Sequence, residues 1–217
     1  MTELQAIFER HSVRKYLDKP IEPEKRALLQ EQIDRVNKEF GLHVQYIPGE
    51  GGVFSGIASK ICGWSGVPGY IAMIGKSDDG LDELCGYAGE RLVLYAQTIG
   101  LNTCWAGIFR RKSCTAKICE DEKLVLVIAV GCGVDSGHTR RSKKAEDVTD
   151  VRDMPEWFER GIEAALLAPT ARNQQKFFIS LDGDKPVAKV AGSAPFAKLD
   201  LGIVKYHFEL ASGKRFE

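Results

Sequence analysis

The sequence feature that most constrains the fold is a long apolar segment at residues 81–101, LDELCGYAGERLVLYAQTIGL. Its apolar residues at helical spacing are Leu84, Ala88, Leu92, Tyr95, Ala96 and Ile99. This spacing, over such a length, predicts a buried α-helix at the centre of the molecule. Because a buried helix must be covered by other elements, we expect the rest of the chain to pack around it.

The remaining periodicities predict both helices and strands. Helices are predicted at 2–10, 24–40, 154–170 and 199–213, and strands at 42–47, 70–75, 123–131 and 176–181. Residues 51–69, which contain six glycines, are predicted to be irregular or a short helix. This order predicts an α+β protein with a central sheet that is mainly antiparallel or mixed and is flanked by helices.

The length of 217 residues predicts a single domain spanning 1–217. A faint internal repeat is present, since a helix leads into a strand at 24–47 and again at 155–182, and an apolar helix follows each time. The two halves would be about 1–134 and 150–217. The repeat is a hypothesis, because helix-strand order alone is common.

Composition excludes several classes of protein. The 30 basic and 30 acidic residues cancel, which gives no field for nucleic acid. A signal-peptide core and a run of about 18 apolar residues are both missing, so we expect a cytoplasmic protein with no membrane partner. The six cysteines form no CxxC pair and have no histidine at metal-ligand spacing, which predicts reduced thiols and no metal.

Residues 135–153 are predicted to form an exposed connector. The strand before them runs into Gly131, Gly133 and Gly137, close to a dinucleotide-binding fingerprint. The residues that follow, HTRRSKKAED, have no apolar helical face and so offer no helix N-terminus to a pyrophosphate. The charge run therefore predicts a solvated loop.

Two polar segments are candidates for ligand binding. Near the N-terminus, Arg10, Ser12 and Arg14 are spaced two apart at a predicted helix end, and all three can donate to one anion. In AALLAPTARNQQKFFI (164–179), Pro169 stops a helix and a turn then presents polar residues. These are Thr170, Arg172, Asn173 and Gln175. Amide groups that both donate and accept suit the edge of a heterocycle, and simple capping of a turn is the alternative.

A third candidate follows the central helix. Gly107 would let the backbone approach a planar ligand, with Trp105 and Phe109 as walls. A helix ended by glycine and followed by a core strand is the alternative.

Together, RHSVRKY, APTARNQQKFF and GERLVLYAQTIGLNTCW resemble the FMN-dependent nitroreductase family, whose members share RxSxR, APSxxNxQPW and a LxAQxLGLxTCW-type helix end. The resemblance covers most of the chain and implies a nitroreductase-like fold and an FMN cofactor. It implies that Arg10, Ser12 and Arg14 hold the FMN phosphate, with His11 beside them.

The resemblance also implies contacts to the flavin ring. Asn173 and Gln175 match positions that approach the flavin, and the backbone at Gly107 and Ile108 matches the segment facing the ring nitrogen N5, next to Trp105. Other family members add a basic residue near the C-terminus, for which the candidates here are Lys214 and Arg215. A disordered basic tail is the alternative.

The sequence departs from the family in three ways. The APTARNQQ motif begins only at Ala168, whereas in most members it follows the first helices. Lys176 stands where proline is usual, and Phe177 or Phe178 replaces the tryptophan. This resembles a diverged branch in which two halves of one chain correspond to the two subunits of the usual dimer. The sequence is therefore compatible with either a homodimer or a pseudo-dimeric monomer, and it does not choose between them.

The activity implied is hydride transfer from NADH or NADPH, through FMN, to a nitroaromatic, quinone or similar flat acceptor. No catalytic side chain is needed, because the flavin carries the chemistry. The alternative is an FMN-binding storage or sensing protein without turnover. His207 is predicted to be a core or surface histidine, and no chemistry is assigned to Glu90.

Overall fold

The computed structural model describes residues 1–49 and 52–216, and within them the chain forms six α-helices and two antiparallel sheets. The helices are α1 (Glu3–Glu9), α2 (Pro23–Phe40), α3 (Ile57–Ile61), α4 (Leu81–Thr98), α5 (Glu156–Leu167) and α6 (Ala197–Ser212). The strands are β1 (Gln45–Pro48), β2 (Gly69–Lys76), β3 (Asn102–Ala106), β4 (Glu122–Gly131), β5 (Phe177–Asp182) and β6 (Lys185–Val190). The α+β prediction is confirmed. Gly51, part of the glycine-rich segment, lies outside the described residues.

The main sheet has the order β1-β2-β4-β3, and every pairing in it is antiparallel. Its central strands β2 and β4 are apolar except at one end of each, because both faces of the sheet are covered. Ile71 and Met73 of β2 pack on the side of α4, whereas Tyr70 and Ala72 point to the opposite cluster, which includes Phe54. The sheet thus forms the layer against which α4 lies.

Helix α4 is buried between this sheet and α6, as its apolar pattern predicts. The two helices cross at a pair of glycines, where a Cβ on Gly86 would overlap the carbonyl oxygen of Leu199 and a Cβ on Gly202 would overlap that of Glu83. Each glycine thus meets the carbonyl three residues before the other. Such a reciprocal contact is the pattern of a two-fold axis.

The second sheet is the hairpin of β5 and β6. It follows α5, which ends at Leu167 because Ala168 precedes Pro169 and takes an extended conformation. Apart from α3, which lies between β1 and β2, the order of a helix, an antiparallel strand pair and a helix therefore occurs twice: α2, β1, β2, α4, and then α5, β5, β6, α6. Strand β6 was missing from the predicted order, and β3 was predicted only as the alternative to a ligand-facing segment.

Among the helices of the described residues, none is both long enough and apolar enough to cross a membrane.

Candidate functional site

A cavity of about 380 Å³ brings together three segments that are distant in sequence. It lies within the range of roughly 300–1,000 Å³ that is usual for small-molecule sites. The residues that line it are Ile7, Phe8, Arg10, His11, Ser12, Arg14, His138, Thr139, Arg140, Ser142, Leu167, Thr170, Arg172 and Asn173. None of these lining residues, all within the described part of the chain, is acidic, and four are arginines. The charge of this lining favours an anion over a cation.

The RHSVR segment reaches the cavity as extended chain. Helix α1 ends at Arg10, and the residues after it align parallel to β3, with Ser12 opposite Thr103 and the Val13 amide donating to the Thr103 carbonyl at 3.0 Å. Alternate side chains of extended chain point to opposite sides. Val13 is therefore buried in the core, while Ser12 and Arg14 line the cavity.

Three buried polar atoms at this cavity have no hydrogen-bond partner among the residues that the structure describes: Arg10 Nε, His11 Nδ1 and Asn173 Oδ1. The side chain of Arg10 is only 6% exposed, and its Nη2 donates to Ser12 Oγ at 3.4 Å. Buried polar groups are nearly always paired, because an unpaired group costs about 1–3 kcal/mol. Their clustering around one cavity indicates that a bound molecule completes them.

One wall of the cavity comes from the segment 135–153, which was predicted to be a solvated connector. That prediction is wrong for Arg140, whose Nη2 donates to the carbonyls of Leu167 and Ala168, both at 2.6 Å. The carbonyls at a helix C-terminus attract a cation, which explains why this arginine folds inward. Burial, and secondarily the like charge of Arg10, lowers the pKa of Arg140 to about 10.

The APTARN turn carries backbone strain next to the cavity. Arg172, Asn173 and Gln175 all have positive φ, at 52°, 53° and 45°, which is uncommon for residues other than glycine. The turn is held from behind by the buried carboxylate of Asp200, which accepts from the Ala171 amide at 3.0 Å. Burial raises the pKa of Asp200 to about 6.

The two amides of this motif have different positions. Asn173 lines the cavity, and its Nδ2 donates to the Arg141 carbonyl at 2.6 Å. Gln175 is buried behind the turn, where its Oε1 accepts from the Lys143 amide and its Nε2 donates to the Leu166 carbonyl, both at 2.7 Å. Since both ends of its amide are used, Gln175 fixes the turn and does not line the cavity.

The segment around Gly107 also lies outside the lining. The ring of Phe196 occupies the space where a Cβ on Gly107 would lie, and Ile108 is exposed. Trp105 is partly buried, and its indole Nε1 donates to Glu90 Oε2 at 2.8 Å. The structure thus directs the Trp105 indole nitrogen to an internal partner.

Glu90 is the centre of a buried network to which no chemistry was assigned from the sequence. Its Oε1 lies 2.8 Å from His207 Nε2, and His207 Nδ1 lies 3.0 Å from the Ala164 carbonyl. Because a carbonyl oxygen only accepts, Nδ1 carries a proton. Glu90 and His207 are both fully buried, so His207 is a core histidine. The sequence signal for this network was a glutamate, Glu90, within the segment that the apolar spacing predicts to be a buried helix.

The two basic residues near the C-terminus are not among those lining the cavity. Lys214 Nζ lies over the Trp157 ring, 5.6 Å from its centre. Phe216 packs against Phe208, and its amide donates to Glu209 at 3.0 Å, so the tail is anchored on α6. Arg215 lies between these contacts and is exposed.

The family model described as "Putative TM nitroreductase" matches residues 3–212, and the chain therefore belongs to this nitroreductase family. The family prediction is confirmed. No curated protein matches the chain.

Several solved structures share the fold. A structure described as a "putative nitroreductase" from Thermotoga maritima has a TM-score of 0.65 and 21% identity, with 97% of this chain and 83% of that chain covered. One described as a "putative nitroreductase in complex with fmn" from Desulfovibrio desulfuricans has a TM-score of 0.56 and 19% identity, with 71% and 99% covered. One described as a "Putative NADH dehydrogenase/NAD(P)H nitroreductase" from Bacteroides thetaiotaomicron has a TM-score of 0.54 and 19% identity, with 67% and 95% covered.

Proposed function

We propose that the protein is an FMN-dependent oxidoreductase that takes hydride from NADH or NADPH and passes electrons to a flat acceptor such as a nitroaromatic or quinone. The observation that supports this most strongly is the acid-free, arginine-lined cavity with its three unpartnered polar atoms. Membership of the nitroreductase family and the FMN complex of the Desulfovibrio protein point the same way.

The cavity residues fit the phosphate end of FMN. Arg10, Ser12 and Arg14 lie on one side of an extended segment and would donate to the phosphate, with His11 beside them. Charge-assisted bonds of this kind are about twice as strong as neutral ones. Arg140 is a further candidate, and a dianion would relieve the repulsion that it experiences from Arg10.

Asn173 has a different role in this proposal. Its unpartnered Oδ1 is an acceptor, so it suits a hydroxyl or ring N–H of the cofactor rather than the phosphate. The amide is already oriented by its bond to the Arg141 carbonyl. The strained turn thus places a hydrogen-bond acceptor, Asn173 Oδ1, in the same cavity as an unpartnered donor, Arg10 Nε.

We further propose that the backbone at Gly107 and Ile108 approaches the flavin ring. Strand β3, which ends at Ala106, pairs with the RHSVR segment, so the two segments share one edge of the sheet. When bound, FMN would supply hydride acceptance and donation at its ring. The chain's own residues would bind and orient the cofactor, and no acid or base from a side chain is required. Trp105 and Gln175 would support this site from behind rather than contact the ring through their polar groups.

The chain is proposed to be a monomer whose halves correspond to the subunits of a dimer. The reciprocal contact of Gly86 and Gly202 and the repeated order of elements support this. Light scattering after size exclusion tests it, and a mass of twice 24.0 kDa would contradict it. A cytoplasmic location is part of the same proposal.

The decisive experiment is the absorption spectrum of the purified protein, recorded anaerobically before and after addition of NADH and then NADPH. Flavin bands that bleach with either donor are the expected result and identify that donor. Bands that persist would indicate a storage or sensing protein that needs another reductant. No flavin bands, even after addition of free FMN, would overturn the proposal.

A further inference from the structure

Three side chains with metal-binding atoms meet at one end of the main sheet, away from the cavity. His43 precedes β1, while Cys119 and Glu122 lie where the chain enters β4. His43 Nδ1 is 2.9 Å from Glu122 Oε2, and one ligand atom from each of the three residues lies within 4.8 Å of the others. The sequence predicts no metal because His43 is far from both partners along the chain.

This arrangement is held by contacts around it. The side-chain amide of Gln45 bridges to Lys117, donating to its carbonyl at 2.7 Å and accepting from its amide at 3.0 Å. The Cys119 amide donates to Glu122 Oε2 at 2.8 Å. These contacts fix the loop that carries Cys119 to strand β1, which follows His43. The three side chains are therefore held near one another without a metal ion.

Two of the lysines near the cluster pair with other carboxylates. Lys123 pairs with Asp82 at 2.9 Å, and Lys76 lies 3.8 Å from Asp121. Glu122 is left to His43 and to the Cys119 segment. A thiolate and a carboxylate would together balance the charge of a divalent cation.

We propose that His43, Cys119 and Glu122 form a Zn²⁺ site, with water as the fourth ligand. Imidazole nitrogen, thiolate sulfur and carboxylate oxygen are the ligand types of zinc, whereas Ca²⁺ and Mg²⁺ take oxygen ligands. Tetrahedral zinc places such ligand atoms about 3.3–3.6 Å apart, so changes of no more than about 1.5 Å in these separations complete the site. The proposal does not depend on FMN binding.

A zinc ion bound here would cross-link two segments of the main sheet's connections. It would join the chain ahead of β1 to the connection between β3 and β4, which starts at Gly107. Three protein ligands leave one position open to solvent, as in zinc sites that keep a bound water. The alternative is an ordinary His–Glu pair with an exposed cysteine beside it.

The test is Zn²⁺ binding to the full chain with its bound cofactor, after chelator treatment and gel filtration. A chromophoric zinc indicator serves as competitor, and elemental analysis gives the stoichiometry. We expect one Zn²⁺ per chain, with affinity lowered about tenfold or more in Cys119→Ser, His43→Gln and Glu122→Gln. Cys62→Ser is the matched control and should bind as the wild type does.

Binding through sulfur is checked separately with Co²⁺. The wild type and Cys62→Ser should show a sulfur-to-cobalt charge-transfer band in the difference spectrum, and Cys119→Ser and Cys119→Ala should lack it. Circular dichroism of each variant without metal establishes that it is folded. Absence of stoichiometric zinc, or equal affinity and an unchanged band in the Cys119 variants, would overturn the proposal.

Discussion

Two clusters of buried polar side chains in the described part of the chain, one around Glu90 and one around the cavity, differ in whether the chain itself completes them. Around Glu90, both carboxylate oxygens have partners, in the Trp105 indole and His207, and the imidazole also contacts the Ala164 carbonyl. Around the cavity, Arg10, His11 and Asn173 each have an atom with no partner.

In the proposed function, this difference separates a structural cluster from a binding site. A network with every atom paired stabilises the helices and strand that contribute to it, since removal of one member leaves the others unpaired in the interior. A cluster with unpaired atoms carries a cost in the free protein, which a ligand removes. The first cluster therefore contributes to folding, and in the proposed function the second contributes to affinity for FMN.

The largest expected effect concerns the cavity. Arg10→Ala combined with Arg14→Ala should yield folded protein with weak FMN binding, because each lost charge-assisted bond forfeits roughly 1.5–3 kcal/mol. The loss is measured by titration of the apoprotein with FMN. The matched control is Lys214→Ala with Arg215→Ala, which removes two cations outside the cavity lining and should leave affinity unchanged. A double Arg10 and Arg14 variant that purifies with full flavin would contradict the proposed phosphate site.

The next largest effect concerns the buried network around Glu90. Glu90→Ala leaves Trp105 and His207 without partners in the interior, so the free energy of unfolding should fall by about 3–5 kcal/mol. Urea denaturation measures this. Glu39→Ala, which breaks an ion pair between Arg91 and an exposed glutamate, should cost less than about 1 kcal/mol. Equal losses in the two variants would show that burial of Glu90 adds nothing.

A third effect concerns Asp200, which holds the APTARN turn. Its pKa is raised by burial to about 6, above the unfolded value, so its contribution to stability is full below about pH 4 and is lost as pH rises through about 6. The change is about 3 kcal/mol, since one unit corresponds to about 1.4 kcal/mol. Urea unfolding between pH 4 and 7 should show this slope in the wild type and a flatter one in Asp200→Asn. In Asp34→Asn, an exposed control on α2, the wild-type slope should persist.

The smallest effect concerns backbone strain at the cavity. Arg172→Gly should raise the free energy of unfolding by up to about 1 kcal/mol, because glycine adopts the positive φ of this position without steric cost. Arg172→Lys retains both charge and strain and should show no gain. Thermal melts of the two variants measure the difference. A glycine variant less stable than the lysine variant would mean that the arginine side chain contributes more than its backbone costs.

Elements with strong local patterns were predictable from the sequence. The spacing in 81–101 predicted α4, and the apolar run at 123–131 predicted β4, since most residues of both elements are buried. Strand β6 is a short, alternating edge strand with a proline, and its hairpin partner defines it more than its own composition does. Local sequence patterns carry no information about which strands pair, so β6 could not be predicted from its own residues.

The same limit applied to the site. The motifs identified Arg10, Ser12, Arg14 and Asn173, all of which line the cavity. They did not identify Arg140, because its inward position depends on carbonyls at the end of α5 that are 27 and 28 residues away. The charges of the 135–153 segment predicted a solvated loop. The carbonyls at the C-terminus of α5, which draw Arg140 inward, lie outside that segment and so could not enter the prediction.

The crossing of α4 and α6 has a consequence for how the protein is made. Glu90 and His207 are 117 residues apart, so a ribosome adding about 5–20 residues per second needs on the order of ten seconds to deliver the second helix after the first. Throughout that interval the apolar face of α4 that α6 will cover has no partner from its own chain. In the nascent protein the apolar face of α4 therefore stays exposed until α6 has been synthesised. The duration of this exposure is set by the length of chain between Gly86 and Gly202, where the two helices cross.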